Sequence, residues 1–149
     1  MLRMWFCVLF ASISLLICPA MAAMFEGSEN KSIDNMTTAV PEYRIVTAKD
    51  FHDKWREIQD GKHNAVLLDV RTPKEYESGH ISGSKNIPSD NPSTVLERWP
   101  DRDVEFLVYC RTQNRATGFA SFLNRHGYRN IYVLEGGIIG WTKNGYPSE

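Results

Sequence analysis

The segment Phe106-Leu107-Val108-Tyr109-Cys110-Arg111-Thr112-Gln113-Asn114-Arg115-Ala116 holds the residues best suited to chemistry. An apolar run ends on a thiol, a short polar loop follows, and an apolar pattern of helical spacing begins at Ala116. Read as a buried strand, the run delivers Cys110 to its C-terminal end, where open α/β sheets bind ligands. A helix start beyond the loop presents backbone N–H groups and a partial positive charge. A loop curling over the sulfur turns further N–H groups toward it. Arg111 and Arg115 add two positive charges within a few residues. Such surroundings favour the thiolate, the nucleophilic form. The pattern is therefore that of a nucleophile inside an anion-binding cradle. The alternative is an inert cysteine buried at a strand end. Two flanking arginines argue against it, because buried charges need partners.

The cysteine count sharpens this reading. The chain has three cysteines, and Cys7 and Cys18 lie in a segment of different character. Met1-Leu2-Arg3 is a short basic start, Met4 to Ile17 is uncharged and mostly apolar, and Ala20-x-Ala22 is a small-residue pattern. That ordering is the one of a secretory signal peptide. The apolar run has 14 residues, short of the roughly 20 needed to span a bilayer as a helix. Residues 1–22 are thus expected to be removed after Ala22, and the protein to be exported, with the periplasm as its compartment. An uncleaved anchor is one alternative. A lipid anchor on Cys18 is another, although Ile17 stands where such sites want a small residue. Cleavage leaves Cys110 as the one cysteine, unable to form an internal disulfide.

Composition is that of a soluble globular domain, with 42% apolar and 23% charged residues. The formal charge is −1 for the full chain, and cleavage removes one Arg and no acid. This near balance shows no nucleic-acid footprint. The length of 149 residues fits one domain. The four histidines show no metal-ligand spacing with the cysteine, and no nucleotide-type phosphate loop is present. No metal or cofactor is expected.

The elements that must hold the thiol follow from periodicity. Residues 23–41 are polar and small and read as a flexible leader; the domain is placed at 42–149. Tyr43 to Val46 suits a short first strand. Thr47-Ala48-Lys49-Asp50 reads as a helix start, Phe51, Trp55 and Ile58 share one helical face, and Gly61 ends it. Ala65-Val66-Leu67-Leu68 closes on Asp69 and suits a strand buried on both faces. Thr72-Pro73-Lys74-Glu75 repeats the helix-start chemistry, and Gly79 ends that short helix. Ser82 to Asn91 reads as loop, and Ser93 to Trp99 as a short helix stopped by Pro100. Val104 to Tyr109 is the strand ending at Cys110. Ala116, Phe119, Ala120 and Leu123 then mark a helix ended by Gly127. Ile131 to Leu134 is a further strand, and Gly136-Gly137 precedes a last helix around Trp141. Strands alternating with helices imply an α/β fold with a parallel sheet covered on both faces.

Three motifs together resemble the rhodanese homology domain over roughly Tyr43 to Tyr146. The first is Leu68-Asp69-Val70-Arg71-Thr72-Pro73-x-Glu75-Tyr76-x-x-Gly79-His80-Ile81-x-Gly83-x-x-Asn86-Ile87-Pro88. The Cys110 loop is the second, and Leu134-Glu135-Gly136-Gly137-x-x-x-Trp141 is the third. The resemblance implies a five-stranded parallel sheet flanked by helices on both faces, and a sulfurtransferase in which Cys110 accepts a sulfane sulfur. Thiosulfate or a similar small molecule would be the donor, and cyanide or a thiol, including a partner protein's thiol, the acceptor. The loop N–H groups of Arg111, Thr112, Gln113, Asn114 and Arg115 would stabilise the terminal persulfide sulfur, as an oxyanion hole does. Arg111 and Arg115 are candidates for binding the anionic donor, or else a solvated surface pair. Asp69 and Arg71 either support the Cys loop from the neighbouring strand or form an ion pair fixing their own turn. His80 is expected to hold its loop and not to transfer protons, and Trp141 and Gly136-Gly137 to pack and cap.

Two positions depart from the family pattern. Gln113 stands where many relatives have glycine; a positive φ there would cost about 1 kcal/mol. Ala116 replaces a frequent serine at the helix start, removing a possible cap. Both bear on donor preference and turnover. Two other functions stay open: a sulfur-carrier module with low turnover, and a phosphatase or arsenate reductase on the same fold. Those enzymes use a loop one residue longer, with the arginine six positions after the cysteine; Arg115 is five after Cys110.

Overall fold

The computed structural model describes residues 43–149. The expected signal peptide and leader lie outside the described residues. Five strands, β1 (Tyr43–Val46), β2 (Ala65–Asp69), β3 (Lys85–Asn86), β4 (Glu105–Tyr109) and β5 (Ile131–Leu134), form one all-parallel sheet in the order β1-β5-β4-β2-β3. Between them run α1 (Ala48–Gln59), α2 (Pro73–Glu77), α3 (Thr94–Arg98) and α4 (Asn114–Arg125), and α5 (Gly137–Lys143) follows β5.

The expected helix starts are built as the side chains require. Thr47 caps α1 by accepting from the Asp50 N–H, and Thr72 and Glu75 close a reciprocal capping box around α2 with Pro73 in its first turn. Strand β3 corrects the reading of Ser82 to Asn91 as loop throughout. Lys85 and Asn86 pair with Leu68 and Asp69. Two polar residues at a sheet edge carry no alternation to read, and short charged edges are how sheets end.

Alternation along β4 decides which face each side chain enters. Phe106 and Val108 pack with Ala116, Phe119, Ala120 and Leu123 of α4 and with Val95 of α3. Leu107 and Tyr109 pack on the other face with Phe51 of α1 and Trp141 of α5. Every one of these is at most 3% exposed. Each large apolar side chain buried this way contributes roughly 1.5–3 kcal/mol. The two cores clamp the central strand, so the position of residue 110 is fixed from both sides.

Candidate active site

Cys110 continues the β4 alternation onto the α4 face and is 1% exposed. Its Sγ accepts a hydrogen bond from the Gln113 N–H at 3.2 Å. The loop between strand and helix is thus folded back on the sulfur. Helix α4 begins at Asn114 without any side-chain cap. Among the described residues the first-turn N–H groups of Asn114, Arg115 and Ala116 meet no acceptor, while the Thr117 N–H bonds Gln113 O at 2.9 Å. Free amides and the helix dipole therefore converge on the loop that carries the thiol.

The loop is held from outside by the start of α5. The Ile138 N–H donates to Cys110 O at 2.8 Å and the Ile139 N–H to Arg111 O at 3.3 Å. In a trans peptide the C=O and the following N–H point in opposite directions. Turning the Cys110 and Arg111 carbonyls to α5 therefore turns the Arg111 and Thr112 N–H groups away from it. Gly137 makes the close approach possible. It has φ +57°, and a Cβ there would stand 2.5 Å from Cys110 O and 2.6 Å from Arg111 O. Gly136-Gly137 do begin a helix, as expected, and its partner is the Cys loop itself. Backbone amides leave no trace in a sequence, and the two glycines were the one available signal.

Gln113 has φ 106° and ψ −40°, and is the one non-glycine with positive φ among the described residues. The strain named as a condition above is present, and such backbone costs on the order of 1–3 kcal/mol. Its side-chain Oε1 accepts from the Gly136 N–H at 3.2 Å.

The two loop arginines part company. Arg111 is exposed and lines an open cleft of about 380 Å³ with Arg71, Thr72, Lys74, Glu75, Ser78, Ile138 and Ile139. Arg115 instead forms a bidentate pair with Glu75, both contacts at 2.7 Å. The Arg115 hydrogen bond holds the Glu75 carboxyl down at about 2, with help from Thr72, and raises the Arg115 pKa in return. This pair ties α2 to the first turn of α4. Thr112 is exposed on the loop and Asn114 at the first position of α4.

Asp69 and Arg71 form a buried ion pair, with Arg71 Nη2 2.6 Å from Asp69 Oδ2 and donating also to Gly79 O at 2.7 Å. Burial opposes the Arg71 charge, and the Asp69 hydrogen bonds and charge outweigh it, so its pKa is raised. The pair fixes the turn after β2, and the same Arg71 walls the cleft. Below it, the Tyr109 hydroxyl meets the Ile81 N–H and the Ser84 hydroxyl. Burial, with Asp69 nearby, pushes that hydroxyl above its usual range, so it stays neutral. His80 stacks on Tyr76 and exchanges backbone hydrogen bonds with Glu149. Trp141 is buried and donates to Pro147 O at 2.8 Å. Sequence reasoning did not single out Lys74, Ser78, Ile138 and Ile139 as site residues. All four fall at unspecified positions inside the first and third motifs. Among the described residues no cluster of His, Cys, Asp and Glu could hold a metal ion.

Comparison with known proteins agrees with this architecture. The family profile of the rhodanese-like domain matches residues 51–144. A rhodanese-related protein from Thermoplasma volcanium is 36% identical, with a TM-score of 0.56, over 72% of this chain and 98% of its own. Thiosulfate sulfurtransferase from Pseudomonas aeruginosa is 28% identical, with a TM-score of 0.60, over 72% of this chain and 20% of its own. A protein of unknown function from Rhodopseudomonas palustris, described as a possible tyrosine phosphatase, is 25% identical, with a TM-score of 0.56, over 72% and 85%. The strand order, the thiol at the end of β4 and the profile match over most of the domain lead to one assignment: this chain belongs to the rhodanese-like domain family.

Proposed function

We propose that the domain is a sulfurtransferase that carries a sulfane sulfur on Cys110. The Cys110 thiolate attacks the outer sulfur of thiosulfate; a new S–S bond forms, the old one breaks, and sulfite leaves with the electron pair. A thiophilic acceptor, cyanide or a thiolate, then attacks the terminal sulfur and frees the Cys110 thiolate. The reading is carried by one observation: Cys110 Sγ lies under a loop whose Gln113 N–H already donates to it at 3.2 Å. Donors fixed in advance around developing charge need no reorganisation, and one such donor is worth about 10²–10³ in rate in comparable anion holes. Arg111 and Lys74, which line the same cleft, supply charge for an anionic donor.

The phosphatase reading is disfavoured on two grounds. The loop is one residue short, and Arg115, the candidate phosphate ligand, is bound at both ends of its fork by Glu75. Turnover of a phosphotyrosine surrogate would reverse this. Intact mass before and after thiosulfate, beside a Cys110→Ser control, tests the sulfur reading: the native protein should gain one sulfur atom and the variant none. Cyanide then separates enzyme from carrier, because a carrier keeps its persulfide and turns over negligibly. We propose also that the protein is exported, on the pattern of residues 1–22 alone. Protein recovered from the periplasm and beginning at Ala23 would support that; protein recovered from the cytoplasm with Met1 retained would overturn it.

A further inference from the structure

We propose that Gln113 is a positioning residue: its side chain latches the Cys loop to the start of α5 and so holds its own N–H on the Cys110 sulfur. The inference rests on the sulfurtransferase reading for its kinetic consequence, and on geometry for the latch itself. Residue 113 is the pivot of the site. Its N–H meets Sγ at 3.2 Å, its C=O accepts from Thr117 N–H at 2.9 Å to open α4, and its Oε1 accepts from Gly136 N–H at 3.2 Å. Its φ of 106° is one that L-residues avoid, and no other non-glycine described here adopts it. A strained conformation persists only where its surroundings over-determine it. The contact that can do so through the side chain is the bond to Gly136, because α4 has no side-chain cap.

The latch also completes a row of donors. Gly136, Ile138 and Ile139 give their N–H groups to Gln113 Oε1, Cys110 O and Arg111 O in turn. A glycine at position 113 would accept the same backbone angles without strain. It would also leave the Gly136 N–H without this acceptor and the loop free to leave the sulfur. The side chain thus exchanges backbone ease for a fixed N–H.

Two variants separate strain from latch. Gln113→Met keeps the strain and length but has no acceptor for Gly136; Gln113→Gly removes both strain and latch. Three measurements are made on the native protein and both variants: amide hydrogen exchange at Gly136, unfolding temperature, and the rate of persulfide formation by mass across a thiosulfate series. Gly136 exchange should quicken at least tenfold in both variants. Gln113→Met should unfold below Gln113→Gly. Both should load sulfur five- to tenfold more slowly at saturating thiosulfate, with the half-saturating concentration changed less than twofold. Native-rate loading by Gln113→Met, or Gly136 exchange unchanged in it, would overturn the proposal, and so would Gln113→Gly loading at the native rate. If the native protein never takes up sulfur, the sulfurtransferase reading fails, and hydrogen exchange still decides whether the latch exists.

Discussion

Replacing Gly137 by alanine should damage the site far more than it damages the fold around it. The glycine sits at φ +57°, where an L-residue costs about 1–2 kcal/mol. A Cβ there would lie 2.5 Å from Cys110 O and 2.6 Å from the Arg111 carbonyl carbon and oxygen. Ordinary contact begins near 3.4 Å, so the loop backbone must retreat by about 0.9 Å at Cys110 O to restore van der Waals distance. That retreat stretches the Ile138 N–H to Cys110 O bond from 2.8 Å to beyond hydrogen-bond range. One lost hydrogen bond costs about 1 kcal/mol, bringing the total to about 2–3 kcal/mol. For a domain of about 100 residues each kcal/mol lowers the melting temperature by ~4–8 °C. The catalytic cost is larger, because moving a reacting group by about 1 Å can cost on the order of 10²-fold in rate. Gly145→Ala is the control. Its φ is +73° and nothing lies within 4 Å of its Cβ position, so it carries the strain without the displacement. The assay is the rate of persulfide formation at saturating thiosulfate, read by intact mass, beside thermal unfolding of both variants. Gly137→Ala should load about a hundredfold more slowly than Gly145→Ala and melt lower. Loading at equal rates would refute the claim that α5 positions the sulfur.

Three further outcomes follow from the same geometry. Cys110→Ser should gain no sulfur from thiosulfate, measured by intact mass. Arg111→Ala should raise the thiosulfate KM about fivefold with kcat little changed, since an exposed cation in the cleft adds roughly 1 kcal/mol to anion binding before the reaction; steady-state thiosulfate:cyanide kinetics check it. Glu75→Gln should cost about 1 kcal/mol at neutral pH, discounted because the paired side chains are 35% and 30% exposed. The folded carboxyl is depressed from 4.5 to about 2. Its contribution is therefore complete above pH 4.5 and lost as the pH falls toward 2. Urea unfolding of both proteins should show a constant gap from pH 5 to 8 that closes as the pH falls from 4.5 to about 2.

What could be read from the sequence was whatever repeats with a period or carries its own side-chain chemistry. Phe51, Trp55 and Ile58 announced α1, Ala116 to Leu123 announced α4, and Thr72 with Glu75 announced a cap, because each pattern lies within a single helix or its cap. Gln113 could be singled out as strained only because a family pattern supplied the expectation of glycine. The rest depends on distance along the chain or on groups every residue shares. Arg115 and Glu75 stand 40 residues apart, so only the fold brings them together and takes Arg115 from the pool of free cations. The donors of α5 are backbone amides, identical in every sequence. The β3 strand is two residues long and polar, too short for any period to show.

Register and reactivity are one property in this domain. Along β4, Phe106, Val108 and Cys110 face α4 while Leu107 and Tyr109 face α1 and α5. A slip of one residue would send every one of them to the opposite face. It would bury the thiol among Phe51 and Trp141, away from the α4 amides, and lift the Tyr109 hydroxyl from Ile81 N–H and Ser84. Parallel pairing of Leu68 with Val108 and of Asp69 with Tyr109 opposes that slip on one side, and Val108 with Val133 opposes it on the other. The bulky pairs that stabilise the sheet therefore also select the face on which the sulfur appears. Within that constraint the loop needs only two further contacts, α5 pulling its carbonyls outward and Gln113 turning an amide inward, to fold a strand end back on its own sulfur.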